Sequence, residues 1–250
     1  MLVVGYHLDN KDRIPKYDMA IFKKKASVKV LSMTGNVHLR VKSSLSLVNL
    51  QSAAFFARES LKCENAKRIT ENLKLNHRAY VIGAIVLSVS FLESTVNELF
   101  LQAVHKNNNF FSHLAPNVPN LLCELWERSS RLPILDKYQK ILTTCGKKEF
   151  EKGRAPYQDV DSLIRLRNSL VHYKPEWDDE ENEHKKLESR LKSKFPPNPF
   201  AGKSQAFFPH KCLGHGCTEW AIQNSIKFVE AFYQRLGLSH PQELSKIETR

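Results

Sequence analysis

From Tyr80 to Leu101 apolar residues recur at three- and four-residue spacing through Val86, Val89, Leu92, Val96 and Leu99. That period fits one face of an α-helix, and it predicts a helix over 76–105 that ends in Lys106-Asn107-Asn108-Asn109. A helix of that length and apolarity must be buried among other helices, which makes this a mainly α chain. Its most apolar run, 79–92, is interrupted by Ser88 and Ser90 and is shorter than the roughly 20 residues that cross a bilayer. A core helix is expected, and no membrane partner.

The same period predicts helices from about residue 47 through Ala53, Ala54, Phe55, Phe56 and Leu61, then over 120–129, 132–143 and 218–236. The last carries Trp220, Ile222, Ile226, Phe228, Val229 and Phe232 toward a core. Pro156 can open a further helix over 157–173, and Pro175 closes it, because proline lacks the donor N–H and clashes with the preceding turn. Two other patterns interrupt the helical reading. Alternating apolar residues over 26–31 and 37–42 flank Thr34-Gly35-Asn36, the signature of a β-hairpin with a glycine-containing turn. Between the last two helices, Asp178-Asp179-Glu180-Glu181-Asn182-Glu183, Lys185-Lys186 and Phe195-Pro196-Pro197-Asn198-Pro199 read as an exposed excursion. The expected organisation is an arm and hairpin over 1–46, a helical domain over 47–240 with an insertion at about 176–217, and a tail over 241–250.

Lys and Arg number 38 against 26 Asp and Glu, a formal charge of +12. Such an excess suits a polyanionic partner, RNA, DNA or anionic lipid, without choosing among them. Lys23-Lys24-Lys25 and the basic run over 185–194 can track a nucleic-acid backbone, and both fit a solvated surface equally. The five cysteines form no regular framework and no secretory signal opens the sequence, which points to reduced thiols in a cytoplasm.

The helix over 157–173 carries the chemistry. On a helical wheel Val160, Leu163, Ile164, Leu166, Leu170 and Val171 share one apolar arc, and Arg167 falls in the middle of it. Asp161, Arg165, Asn168, Ser169 and His172 lie opposite, with Asn168 one turn before His172. A guanidinium among apolar residues cannot shed its charge, so it needs an acidic or phosphate partner, or it lines a cleft. The polar stripe Ser90, Glu93, Ser94 and Asn97 on the long helix offers Glu93 as that partner. A buried Arg167–Glu93 pair tying two helices together and a catalytic arginine are both open readings. Arg165 competes for the second role, since it lies about 20° from His172 on the wheel whereas Arg167 lies about 140° away.

The segment Leu166-Arg167-Asn168-Ser169-Leu170-Val171-His172-Tyr173 resembles the motif of the HEPN superfamily: Arg, a polar residue, three more residues, then His. The stretch Phe91-Leu92-Glu93-Ser94-Thr95-Val96-Asn97-Glu98-Leu99 is similar to that family's earlier core helix. The resemblance spans about residues 47–236. It implies a bundle of four or five helices that dimerises and brings two motifs into one cleft, where single-stranded RNA is cut without metal or other cofactor. Arg167 and His172 would then be catalytic, with Asn168, Arg165, Glu93 and Asn97 supporting the site or binding substrate. Imidazole takes the 2′-hydroxyl proton or gives one to the leaving 5′-oxygen, arginine stabilises charge on the phosphorane oxygens, and the product is a 2′,3′-cyclic phosphate. Family habit adds a toxin or antiphage setting, with an antitoxin or defence-system partner. The alternative is a non-catalytic helical module that binds RNA or a protein.

His210, Cys212, His215 and Cys217 are residue types that ligate zinc, which leaves a metal-dependent protein as a third reading. Their spacing is that of a glycine-containing loop rather than of a paired zinc site, so no metal is expected there. Gly214 and Gly216 precede a helix without the strand and lysine of a phosphate-binding loop, which disfavours nucleotide hydrolysis.

Overall fold

In the computed structural model the long apolar helix, α2 (Glu71–Val104), is the axis of the fold. The structure describes residues 5–8, 37–40, 44–104, 110–111, 114–129, 131–175 and 182–249. Around α2 pack α1 (Ser46–Glu64), α3 (Val118–Ser129), α4 (Ile134–Thr144), α5 (Tyr157–Val171) and α7 (His215–Leu236). Val81, Ile85, Val89, Phe91, Leu92, Val96 and Phe100 are almost wholly buried, so truncation such as Leu92→Ala costs roughly 2–5 kcal/mol. The polar residues on this buried face do not interrupt it. Ser88 Oγ and Thr95 Oγ1 donate to the carbonyls of Ala84 and Phe91 one turn back, which satisfies them without a partner helix. Tyr138 of α4 donates its hydroxyl to Leu92 O at 2.7 Å.

Helix α1 starts where α2 supplies its cap. Glu98 Oε1 accepts from the backbone N–H groups of Leu45 and Ser46, and Oε2 from Ser46 Oγ, so a side chain of another helix satisfies first-turn donors that would otherwise lack partners. Helix α7 stops at Gly237, whose φ of 74° is the left-handed conformation glycine adopts without a Cβ penalty. Within α2 an 18-residue window is apolar enough by length and composition to cross a membrane, a longer stretch than 79–92, and 50% of it is buried inside the fold.

The mainly helical character expected from the sequence is present. Several details differ. Among the described residues there are seven α-helices rather than four or five. Val37–Arg40 is a strand, and among the described residues it pairs antiparallel with Gly5–Leu8, Leu8 opposite Val37. Alternation marks a strand but does not fix its partner. The expected strand over 26–31, its turn, Lys23-Lys24-Lys25, Lys106-Asn107-Asn108-Asn109 and the acidic run 178–181 lie outside the described residues. Residues 1–44 form one unit and 45–250 another.

The segment expected to be an exposed excursion is instead partly core. It holds α6 (Glu183–Leu191), capped by Asn182 Oδ1 on the Lys185 N–H, with Leu187 and Leu191 buried. Phe195, Phe207, Phe208, Cys212 and Leu213 follow them inside. Gly214 and Gly216 serve this packing: a Cβ on either would sit 2.8 Å from Asn198 Cα or Pro196 Cδ. The tail is also part of the fold, since Leu244 is buried and Glu248 O accepts from Arg58.

Candidate functional site

Pro156 precedes α5, and the helix buries Tyr157, Val160, Ser162, Leu163 and Leu166. It ends at His172, whose φ of −113° and ψ of 45° leave the helical region while its N–H still donates to Asn168 O at 2.8 Å. Pro175 follows within three residues. The last turn of α5 therefore runs beyond the core. Val171, expected on the apolar arc, is 53% exposed, and Tyr173 is 50% exposed. The wheel places Val171 correctly relative to its neighbours, with Leu170 partly buried against the core, but among the described residues none covers Val171 itself.

Helix α6 lies along α5 and is held there by charge. Asp159 Oδ1 receives Lys194 Nζ at 2.6 Å, and Asp161 Oδ2 receives both Arg165 Nε at 2.9 Å and Arg190 Nη1 at 3.2 Å. Between the two helices opens a cleft of about 500 Å³, lined by Arg165, Asn168, Ser169 and His172 from the α5 side. Lys174, His184, Lys186 and Arg190 add to the wall, with Glu183 the one carboxylate among the described lining residues. The Lys186 ammonium, 2.7 Å away, holds the Glu183 carboxyl below its usual range. The cleft is thus rich in guanidinium, ammonium and imidazole, a donor set suited to a phosphodiester.

The structure brings Arg165, Asn168 and His172 together and leaves Arg167 elsewhere. Arg167 is half-buried, and its Nε is enclosed with no hydrogen-bond partner among the described residues. Glu93 is not its partner. Glu93 Oε1 lies 3.8 Å from Lys137 Nζ, and Asn97 Oδ1 accepts from the same ammonium at 3.2 Å. Lys137, on α4, is 3% exposed, so a buried cation that the wheel of α2 could not reveal takes both side chains. In the remainder of the polar stripe Ser90 Oγ donates to Val86 O and Ser94 Oγ to Ser90 O, while Ser94 Oγ also accepts from Asn49 Nδ2 of α1 at 3.3 Å. Glu93 and Asn97 do not line the cleft.

Sequence reading missed His184, Lys174 and Glu183 as cleft residues. Lys186 and Arg190 stood in the basic run over 185–194, where only the turn count of an unrecognised α6 would have aligned them. Tyr173, next to His172, stacks on His184 with ring centroids 5.7 Å apart and planes at 20°, and Phe208 backs His184 at 4.8 Å.

Of the four candidate zinc ligands, His215 and Cys217 lie in α7 and, with Cys212, serve the packing of the fold. His215 donates its backbone N–H to Glu64 Oε1 at 2.7 Å, and its Nδ1 lies 3.0 Å from Ala57 O. Cys212 and Cys217 are fully buried, and burial pushes the Cys212 thiol up to about 12. No cluster of three or more His, Cys, Asp or Glu side chains suited to a metal occurs among the described residues.

No known family model matches the chain, and no curated protein or solved structure matches it either.

Proposed function

We propose that this protein is an endoribonuclease of HEPN type that cleaves single-stranded RNA by attack of the 2′-hydroxyl on the adjacent phosphate. The observation that carries the reading is the cleft between α5 and α6, where an exposed imidazole, His172, shares a cationic wall with Arg165, Lys174, Lys186 and Arg190. A backbone phosphate in that wall gains charge-assisted hydrogen bonds from the guanidiniums, and His172 accepts the 2′-hydroxyl proton. Asn168, one turn earlier on the same wall, orients the imidazole or a phosphate oxygen. Of the two competing arginines, Arg165 takes the phosphate in this cleft, because it opens onto the space that His172 opens onto.

Arg167 belongs to a homodimer in this reading. Its enclosed Nε and the exposed Val171 beside it fit a surface completed by a second copy that brings an acceptor, since a buried donor left unmade costs about 1–3 kcal/mol. Cleavage without metal and a toxin or antiphage role with an antitoxin or defence-system partner follow from the resemblance to the family, and the cytoplasmic setting from the five free cysteines. The test is incubation of the purified protein with labelled RNA in EDTA. Loss of cleavage in His172→Ala supports the enzyme. RNA that is bound yet never cut supports instead a non-catalytic RNA-binding module, which the same basic cleft would serve.

A further inference from the structure

Cleavage of RNA by 2′-hydroxyl attack moves two protons. One leaves the nucleophile, and one must reach the 5′-oxygen as the P–O5′ bond breaks, or an alkoxide has to depart. A single histidine supplies only one of these transfers at a time. The cleft contains a second imidazole in the same chain: His184, from the first turn of α6, lines the cleft that His172 opens onto. Its position is built rather than incidental. The Tyr173, His184 and Phe208 rings form a triangle, with centroids 5.7 Å apart for Tyr173 and His184, 4.8 Å for His184 and Phe208, and 6.2 Å for Tyr173 and Phe208. Tyr173 directly follows His172, so this contact ties His184 to the residue after His172 on the wall of the cleft that both histidines line.

We propose that His184 is a second catalytic residue, the general acid for the leaving group, paired within one chain with His172 as the general base. His172 removes the 2′-hydroxyl proton, the 2′-oxygen bonds to phosphorus, the P–O5′ bond breaks, and the imidazolium of His184 gives its proton to the 5′-oxygen. The products are a 2′,3′-cyclic phosphate and a 5′-hydroxyl end. His172 is left protonated and His184 neutral, and exchange with water restores both. Tyr173 and Phe208 hold His184 in place, with Arg165 and Arg190 on the phosphate. The assignment rests on the ribonuclease reading.

The experiment compares His184→Phe, which keeps an aromatic ring against Tyr173 and Phe208 but carries no proton, with His172→Ala and the parent protein. Two RNA oligonucleotides are used, one ordinary and one with sulfur in place of the bridging 5′-oxygen at a single linkage. Sulfur leaves as a thiolate and needs no acid. His184→Phe is expected to cut ordinary RNA about 100-fold or more slowly and to regain the parent rate at the sulfur linkage, while His172→Ala stays slow on both. Parent-like cleavage of ordinary RNA by His184→Phe overturns the assignment, and so does an equal loss on both substrates. If the parent protein leaves both oligonucleotides intact, the ribonuclease reading fails and takes this assignment with it.

Discussion

Asp161 and Arg165 are joined across one turn of α5, with Arg165 Nε donating to Asp161 Oδ2 at 2.9 Å, and Arg190 Nη1 reaches the same oxygen from α6 at 3.2 Å. One carboxylate thus sets the spacing of two guanidiniums in the wall of the cleft. The pair is solvent-accessible, with side-chain exposures of 29% for Asp161 and 54% for Arg165, so its contribution to stability is small, about 0–1 kcal/mol. Its effect is on geometry. Asp161→Asn is expected to lower RNA cleavage several-fold while moving the melting temperature by only a few degrees, measured by thermal denaturation beside a cleavage time course. A melting temperature that collapses, or cleavage that is unchanged, contradicts this.

Arg165 and Arg167 have opposite environments, and their alanine and methionine variants separate them. Arg165→Ala should cut RNA about 100-fold more slowly and reduce the slope of binding against salt by about one. Arg167→Met removes a donor whose Nε has no partner, so the folded chain should melt at the same temperature or higher while the homodimer weakens. Sedimentation and a salt titration of RNA binding read both effects. The reverse pattern would return the phosphate-binding role to Arg167.

The face of α5 that carries Arg165, Asn168 and His172 was legible in the sequence because it depends only on the 3.6-residue period of one helix. Its partner wall was not. The charged run around Asn182 and the prolines at 196–199 resemble a solvated loop, yet Leu187 and Leu191, four residues apart, are enough to seat α6 on the core. Two apolar residues are too few for a periodic signal. The Glu93 contact failed for a related reason. The wheel identified which α2 residues are polar, but the choice between Arg167 and Lys137 as their partner depends on where α4 and α5 cross α2, which is tertiary information.

The thiols should differ sharply in reactivity. Cys123 is partly exposed, whereas Cys63, Cys145, Cys212 and Cys217 are buried, and burial pushes Cys145 up to about 11 and Cys212 to about 12. A disulfide reagent at pH 8 is expected to label Cys123 first and the other four only with unfolding. Rapid labelling of Cys212 or Cys217 in the native protein would contradict their placement in the core.

The same groups give the protein an alkaline limit. Burial raises Cys145 and Cys212 above their ordinary 9.0, and Tyr233 above 10.0 to about 12. The folded state holds these protons more tightly than the unfolded chain. Their contribution is complete below about pH 9 and is lost as pH rises toward 11–12. Urea midpoints should therefore be lower at pH 10.5 than at pH 8 with an unchanged m-value. A midpoint that holds or rises over that interval contradicts the sign.

The central claim is that His172, in the cleft with Arg165, performs proton transfer on RNA. The most direct measurement is the end chemistry of a labelled single-stranded RNA incubated in EDTA with the parent protein and with His172→Ala. The account predicts fragments ending in 2′,3′-cyclic phosphate and 5′-hydroxyl from the parent, and a rate at least about 100-fold lower from His172→Ala with unchanged melting. RNA left intact by the folded parent protein, or cut equally well by His172→Ala, would contradict it.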